Sequence, residues 1–136
     1  MFIYIGLSFS YLLRLMTKEY YIGNLGSAIP KATDLKSAIN FTFKGFDDYD
    51  GGMFLERPNG QLIPNRFTNI LQFVPLNPYS IEEENMFFIV IDPKSGFNRI
   101  LNGKKCVEWM TKENNFKIRP CAHVDEQLFE VVDVGS

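Results

Sequence analysis

Apolar residues run along this chain in short bursts broken by polar turns, without the three-and-four spacing that a long amphipathic helix requires. Alternation and β-branched or aromatic content predict twelve short strands. The first four are Phe2–Leu7, Tyr11–Leu15, Tyr20–Leu25 and Asn40–Phe46. The next four are Met53–Arg57, Gln61–Pro64, Ile70–Leu76 and Met86–Asp92. The last four are Phe97–Leu101, Lys105–Met110, Phe116–Cys121 and Gln127–Val134. Turn chemistry separates them. Asn102-Gly103 is the pair that a two-residue type I′ hairpin wants, because both central residues take positive φ. Asn114-Asn115 tolerates the same region. Between Gly26 and Ala38 the chain carries Pro30 and a short helical turn near Asp34–Ala38, and Ser80 ahead of Glu82, Glu83 and Glu84 suits another.

The pattern recurs. Asn59-Gly60 answers Asn102-Gly103, Phe73-Val74-Pro75-Leu76 answers Ile118-Arg119-Pro120-Cys121, and Phe87 answers Phe129, at offsets of 43, 45 and 42 residues. Met16-Thr17-Lys18-Glu19 repeats letter for letter as Met110-Thr111-Lys112-Glu113, which lays Tyr11–Leu13 over Lys105–Val107 and makes Phe2–Ile5 the opening strand. Three copies of about 45 residues, bounded near 1–46, 47–92 and 93–136, account for the chain as one domain. Four strands in each of three pseudo-symmetric copies, each copy ending in an inward aromatic, is the layout of an all-β protein of β-trefoil type. The expected inner layer is Phe41, Phe87 and Phe129, supported by Ile5, Leu13, Leu55, Ile63, Leu101 and Val107.

Composition narrows the function classes. With 136 residues a single core forms without staples. The formal charge of −2, with signs interleaved, leaves no basic stripe for phosphates, so no dedicated nucleic-acid site is expected. No uncharged run reaches the length of a bilayer span, so no membrane partner is expected. Met1–Leu15 lacks a basic start and reads as strand rather than leader, giving the expectation of an uncleaved, soluble, cytoplasmic protein. Cys106 and Cys121 are either bridged across two strands or small apolar residues, depending on compartment. Together with His123 they are too few for a zinc site, so neither metal nor cofactor is expected. The connector Asp47, Asp48, Asp50 lacks the closing Glu of a calcium loop. Asn40-Phe41-Thr42 matches a glycosylation acceptor, but reads as strand around a core Phe41.

Gln127-Leu128-Phe129, Cys106-Val107-Glu108 and Arg119-Pro120-Cys121 resemble the Gln-x-Trp step, the Cys-Leu-Asp step and the third-strand ending of the ricin-B lectin family. The resemblance implies a shallow sugar pocket in each copy. An Asp after the second strand and an amide near the Gln-x-Trp step would bind vicinal hydroxyls, and a third-strand aromatic would stack on the ring. The Asp position falls on Arg14 in copy one, near Pro64 in copy two and on Glu108 in copy three, and the stacking position of copy three on Arg119. A carbohydrate site would therefore use Glu108, Asn115, Arg119, Asp125 and Gln127. The same Glu108 and Gln127 could instead tie the hairpin together.

No nucleophile–base pair, paired carboxylates or phosphate cradle stands at a working spacing, so no enzyme is expected. The leading reading is a binding module that docks onto a protein or larger assembly, its sugar pockets decayed. Its candidate contacts are Tyr49, Arg66, Phe67, Tyr79 and Arg119, since aromatic residues and Arg dominate interface energetics. Carbohydrate binding through copy three is the alternative.

Overall fold

A computed structural model of the chain describes residues 10–16, 19–45, 49–76 and 82–135. Among these, twelve strands form: β1 (Ser10–Leu15), β2 (Tyr21–Gly23), β3 (Lys31–Thr33), β4 (Thr42–Gly45), β5 (Met53–Arg57), β6 (Gly60–Pro64), β7 (Leu71–Val74), β8 (Phe88–Ile91), β9 (Asn98–Asn102), β10 (Lys105–Met110), β11 (Asn115–Arg119) and β12 (Phe129–Gly135). All pair antiparallel.

Six strands close a barrel. β1 pairs β12, β12 pairs β9, β9 pairs β8, and β4 pairs β5. Two bridges complete the ring, Met53 to Phe87 and Tyr11 to Phe41. The hairpins β2–β3, β6–β7 and β10–β11 cap one end. Their core-facing cross-strand pairs correspond: Ile22 with the partly buried Ala32, Leu62 with Phe73, Val107 with Ile118. The three second members of those pairs each donate a backbone N–H to a neighbouring hairpin. Ala32 reaches Asn114 Oδ1 at 3.0 Å, Phe73 reaches the Ala28 carbonyl at 2.7 Å, and Ile118 reaches the Asn69 carbonyl at 2.9 Å. The cap is thus a triangle locked at each corner, and the chain is an all-β β-trefoil.

Phe41, Phe87 and Phe129 are fully buried in one core cluster, as the aromatic spacing predicts. Each follows a 3-10 turn, at Leu35–Ser37, Glu83–Asn85 and Asp125–Gln127. The hairpins supply the next shell of rings. Phe73 stacks on Phe41 at 6.1 Å and Phe116 tilts against Phe129 at 6.3 Å between centroids. Leu13, Leu55 and Val107 are buried beside them. Ile63 and Leu101 are not core residues; Leu62 and Ile100 take those places. In a strand a one-residue shift exchanges faces, and two adjacent aliphatic residues give no signal for choosing between them.

Copy one departs from the predicted register. Ser10–Leu15 pairs with the last strand, Leu15 against Phe129, so it is the opening strand of its copy and not the second. The strand expected at Phe2–Leu7, with its core residue Ile5, lies outside the described residues, as do Tyr79 and Ser80. The turns shift too. Arg57 pairs Gly60, so Pro58 and Asn59 are central, with Asn59 at φ 60°. Asn102 pairs Lys105, so Gly103 and Lys104 are central, and only Gly103 has positive φ (63°). A glycine first with a right-handed residue second is the requirement of a type II′ turn rather than type I′.

Candidate functional site

The register of β10 and β11 sets Cys106 opposite Arg119, Glu108 opposite Lys117 and Met110 opposite Asn115. Glu108, Asn115 and Arg119 therefore share one face of the hairpin. Gln127 meets that face from the 3-10 turn below it, and every hydrogen-bonding position of its amide is taken. Its Nε2 donates to Glu108 Oε1 at 2.8 Å and to the Pro120 carbonyl at 3.0 Å. Its Oε1 accepts from the Ala122 N–H at 2.9 Å and from Arg99 NH1 at 3.0 Å. Arg99 NH1 also donates to the Ala122 carbonyl, and Arg99 Nε reaches Asp92 at 3.4 Å. Gln127 has no exposed surface. A disulfide between Cys106 and Cys121 ties the same segment to β10. These bonds hold Pro120–Ala122 against the barrel and tie Gln127 and Glu108 to the hairpin.

Asn115 is buried, and its Oδ1 has no hydrogen-bond partner among the described residues. Arg119 and Asp125 are exposed. The aligned acid positions move with the register. Glu108 corresponds to Ile63 and Gly23, not to Pro64 and Arg14. Gly23 is forced by packing, because a Cβ there would lie 1.9 Å from Thr33 Oγ1 and 2.6 Å from the Ser37 carbonyl. Asp92 is held below the ordinary carboxylate range, first by the Ser95 hydroxyl at 2.7 Å, then by the Ser95 N–H and Arg99, against the opposing effect of burial.

The docking set is spread out. Phe67 is 98% exposed at the tip of the β6–β7 turn. That turn is braced by Asn65 Oδ1, which accepts from the Phe67 and Thr68 N–H groups, and by Thr68 Oγ1, which accepts from the Ile70 N–H. Arg66 is exposed, and its guanidinium is engaged within the chain, donating to the Glu84 carbonyl at 2.5 Å and to Asn85 Oδ1 at 3.0 Å. Tyr49 is half-buried.

A different place collects binding chemistry. Where the β2–β3 hairpin meets the β10–β11 hairpin, a cleft of about 360 Å³ is lined by Tyr20, Leu25, Asp34, Ser37, Trp109 and Asn114, with Ala32 and Thr33 between them. Tyr20 is 42% exposed and stands edge-on to Trp109, 6.2 Å between centroids. The Trp109 indole is fixed by its N–H donating to Asn114 Oδ1 at 3.0 Å. Asn114 spends its side chain on Trp109 and Ala32, and holds the left-handed φ of 53° that Asn tolerates. Asp34 Oδ1 caps the Leu35–Ser37 turn by accepting from the Ser37 N–H at 3.3 Å. Its other oxygen makes no hydrogen bond among the described residues, and Asp34 lines the same cleft as Trp109. Sequence reasoning missed these four residues. The signals in hand were the chain's single Trp and an Asp ahead of a helical turn; their meeting across two copies leaves no local pattern.

No family model matches the chain, and neither does any curated relative. Solved structures do. A GlcNAcα1-4Gal-releasing endo-β-galactosidase from Clostridium perfringens superposes with a TM-score of 0.76 at 12% identity, over 93% of this chain and 32% of that one. The designed threefold-symmetric protein ThreeFoil gives 0.73 at 12% identity, over 92% and 99%. The BEL β-trefoil gives 0.65 at 17% identity, over 95% and 94%. The chain spans about a third of the length of the first of these. At such identities the likeness establishes the fold.

Proposed function

We propose that the chain is a non-catalytic carbohydrate-binding module whose site is the cleft between copies one and three, not the third-copy pocket. The observation that carries this is Tyr20 standing exposed against a fixed Trp109, with an uncommitted Asp34 oxygen on the same wall. A pyranose has one apolar face of C–H groups and a rim of hydroxyls. An exposed ring such as Tyr20, backed by the buried Trp109, covers the first, and a carboxylate accepts charge-assisted hydrogen bonds from the second. A cleft of this size that sets aromatic rings beside hydroxyl and carboxylate side chains suits one or two sugar rings. Two trefoil-bearing neighbours carry galactosidase titles, the endo-β-galactosidase above and a β1,3-galactosidase of which this chain matches 26% at 14% identity. Kinship with ricin-B lectins, read from Gln127 to Phe129, belongs to the same proposal. A glycan array tests it. Asp34→Asn should lower the binding of any hit at least about tenfold, the scale of one lost charged hydrogen bond, and Tyr20→Ala should lower it too by removing the exposed ring. A silent array, or a hit lost with Glu108→Ala and unchanged by Tyr20→Ala, overturns this site.

Phe67 favours a second reading, docking onto a protein partner. A large ring almost wholly in water on a braced turn is the form of an interface anchor. If docking is the function, Phe67→Ala removes capture of the native partner while glycan binding is absent.

A further inference from the structure

We propose that Asn40 is an N-glycan acceptor and that the chain matures in an oxidising, glycosylating compartment. Asn40-Phe41-Thr42 is the sole Asn-x-Ser/Thr triplet in the sequence. Strand logic argues against it, since its middle residue belongs to the core. The structure removes that objection. Phe41 is fully buried, and because side chains alternate, Asn40 and Thr42 both stand exposed on the opposite side. Asn40 precedes β4 rather than lying inside it, and its side chain makes no hydrogen bond among the described residues. The Tyr11–Phe41 bridge, with N–H to carbonyl distances of 2.9 and 2.8 Å, fixes the middle residue and leaves the flanks outward. A glycan on Asn40 therefore displaces nothing from the core.

The second observation is independent. Cys106 and Cys121, the chain's two cysteines, are bridged. Structural disulfides persist where the compartment is oxidising, which is where Asn-linked glycosylation takes place. This runs opposite to the cytoplasmic expectation drawn from the opening residues.

The transfer balances with one donor, an oligosaccharide linked through C1 to a lipid diphosphate. The Asn40 amide nitrogen forms the new bond to C1, the C1–oxygen bond to the diphosphate breaks, and the amide loses one proton. The lipid diphosphate leaves, and nothing is oxidised or reduced. Thr42 supplies the hydroxyl that the acceptor triplet requires.

The test is the intact mass of the chain isolated from its own cells, before and after treatment with a peptide N-glycosidase. The expected result is a glycan on Asn40, released with conversion of Asn40 to Asp, on a chain whose two thiols are oxidised. Expressed in the same cells, Asn40→Gln and Thr42→Ala lose the glycan and Thr42→Ser keeps it, all three remaining folded. An unmodified Asn40 on an oxidised chain overturns the proposal, and so does a chain isolated with both thiols reduced.

Discussion

Replacing Gln127 with Leu, a side chain of similar bulk, removes four hydrogen bonds without opening a cavity. The groups left behind differ in their access to water. Glu108 and Arg99 are partly exposed and re-solvate, so their loss is small. The Pro120 carbonyl and Ala122 N–H face the space that Gln127 fills, where an unpaired group costs about 1–3 kcal/mol. Two such groups, offset by the apolar gain of Leu and by water entering at the exposed segment, give a net loss of about 2–4 kcal/mol. Urea unfolding at neutral pH should show it as a lower midpoint with unchanged slope. Glu108→Gln keeps an acceptor for Gln127 Nε2 and should cost under about 1 kcal/mol. Binding at the Tyr20 cleft should survive both changes. A loss below about 0.5 kcal/mol for Gln127→Leu would refute the reasoning, because Pro120–Ala122 would then be held by the disulfide alone.

Other consequences are checked as directly. Phe129→Ala empties a fully buried position and should cost about 3–5 kcal/mol in the same assay. Cys106→Ala with Cys121→Ala opens a link across 15 residues and should cost about 3 kcal/mol, matched by chemical reduction of the parent chain. Gly23→Ala forces a methyl into Thr33 and the Ser37 carbonyl, so it should destabilise by about 1–3 kcal/mol and blunt sugar binding by moving Asp34. Asp92 has its folded pKa lowered, so its contribution is full above the unfolded value near pH 4 and is lost as acid titrates the folded carboxylate. The stability gap between the parent chain and Asp92→Asn should therefore close as the pH falls below about 4.

The architecture was legible because burial leaves marks at fixed spacing. A buried aromatic after a polar turn recurs at Phe41, Phe87 and Phe129, and short strands between turn residues recur around it. What misled was identity without a physical cause. Met16–Glu19 matches Met110–Glu113 in letters, yet Met16 follows a first strand and Met110 ends a second, since surface turns carry no register information. The letter match therefore places the acid position of copy one on Arg14, where the strand pairing places it on Gly23. Ile63 and Leu101 failed for a subtler reason, each sitting beside an equally apolar Leu62 or Ile100. The cleft was illegible in principle. Tyr20 and Trp109 are far apart in the chain, and only closure of the cap through Ala32 and Asn114 brings them together.

The proposed sugar site lies where Tyr20 meets Trp109. Because Trp109 is the sole tryptophan and lies between the core and that cleft, its fluorescence and its indole N–H resonance each carry a single-site signal from the cleft wall. Titrating the chain with the best saccharide from the array should shift both signals saturably, and Tyr20→Ala should abolish the shift with the fold intact. A saccharide that binds while leaving the Trp109 signals untouched, or that perturbs Arg119 and Asp125 instead, contradicts the account.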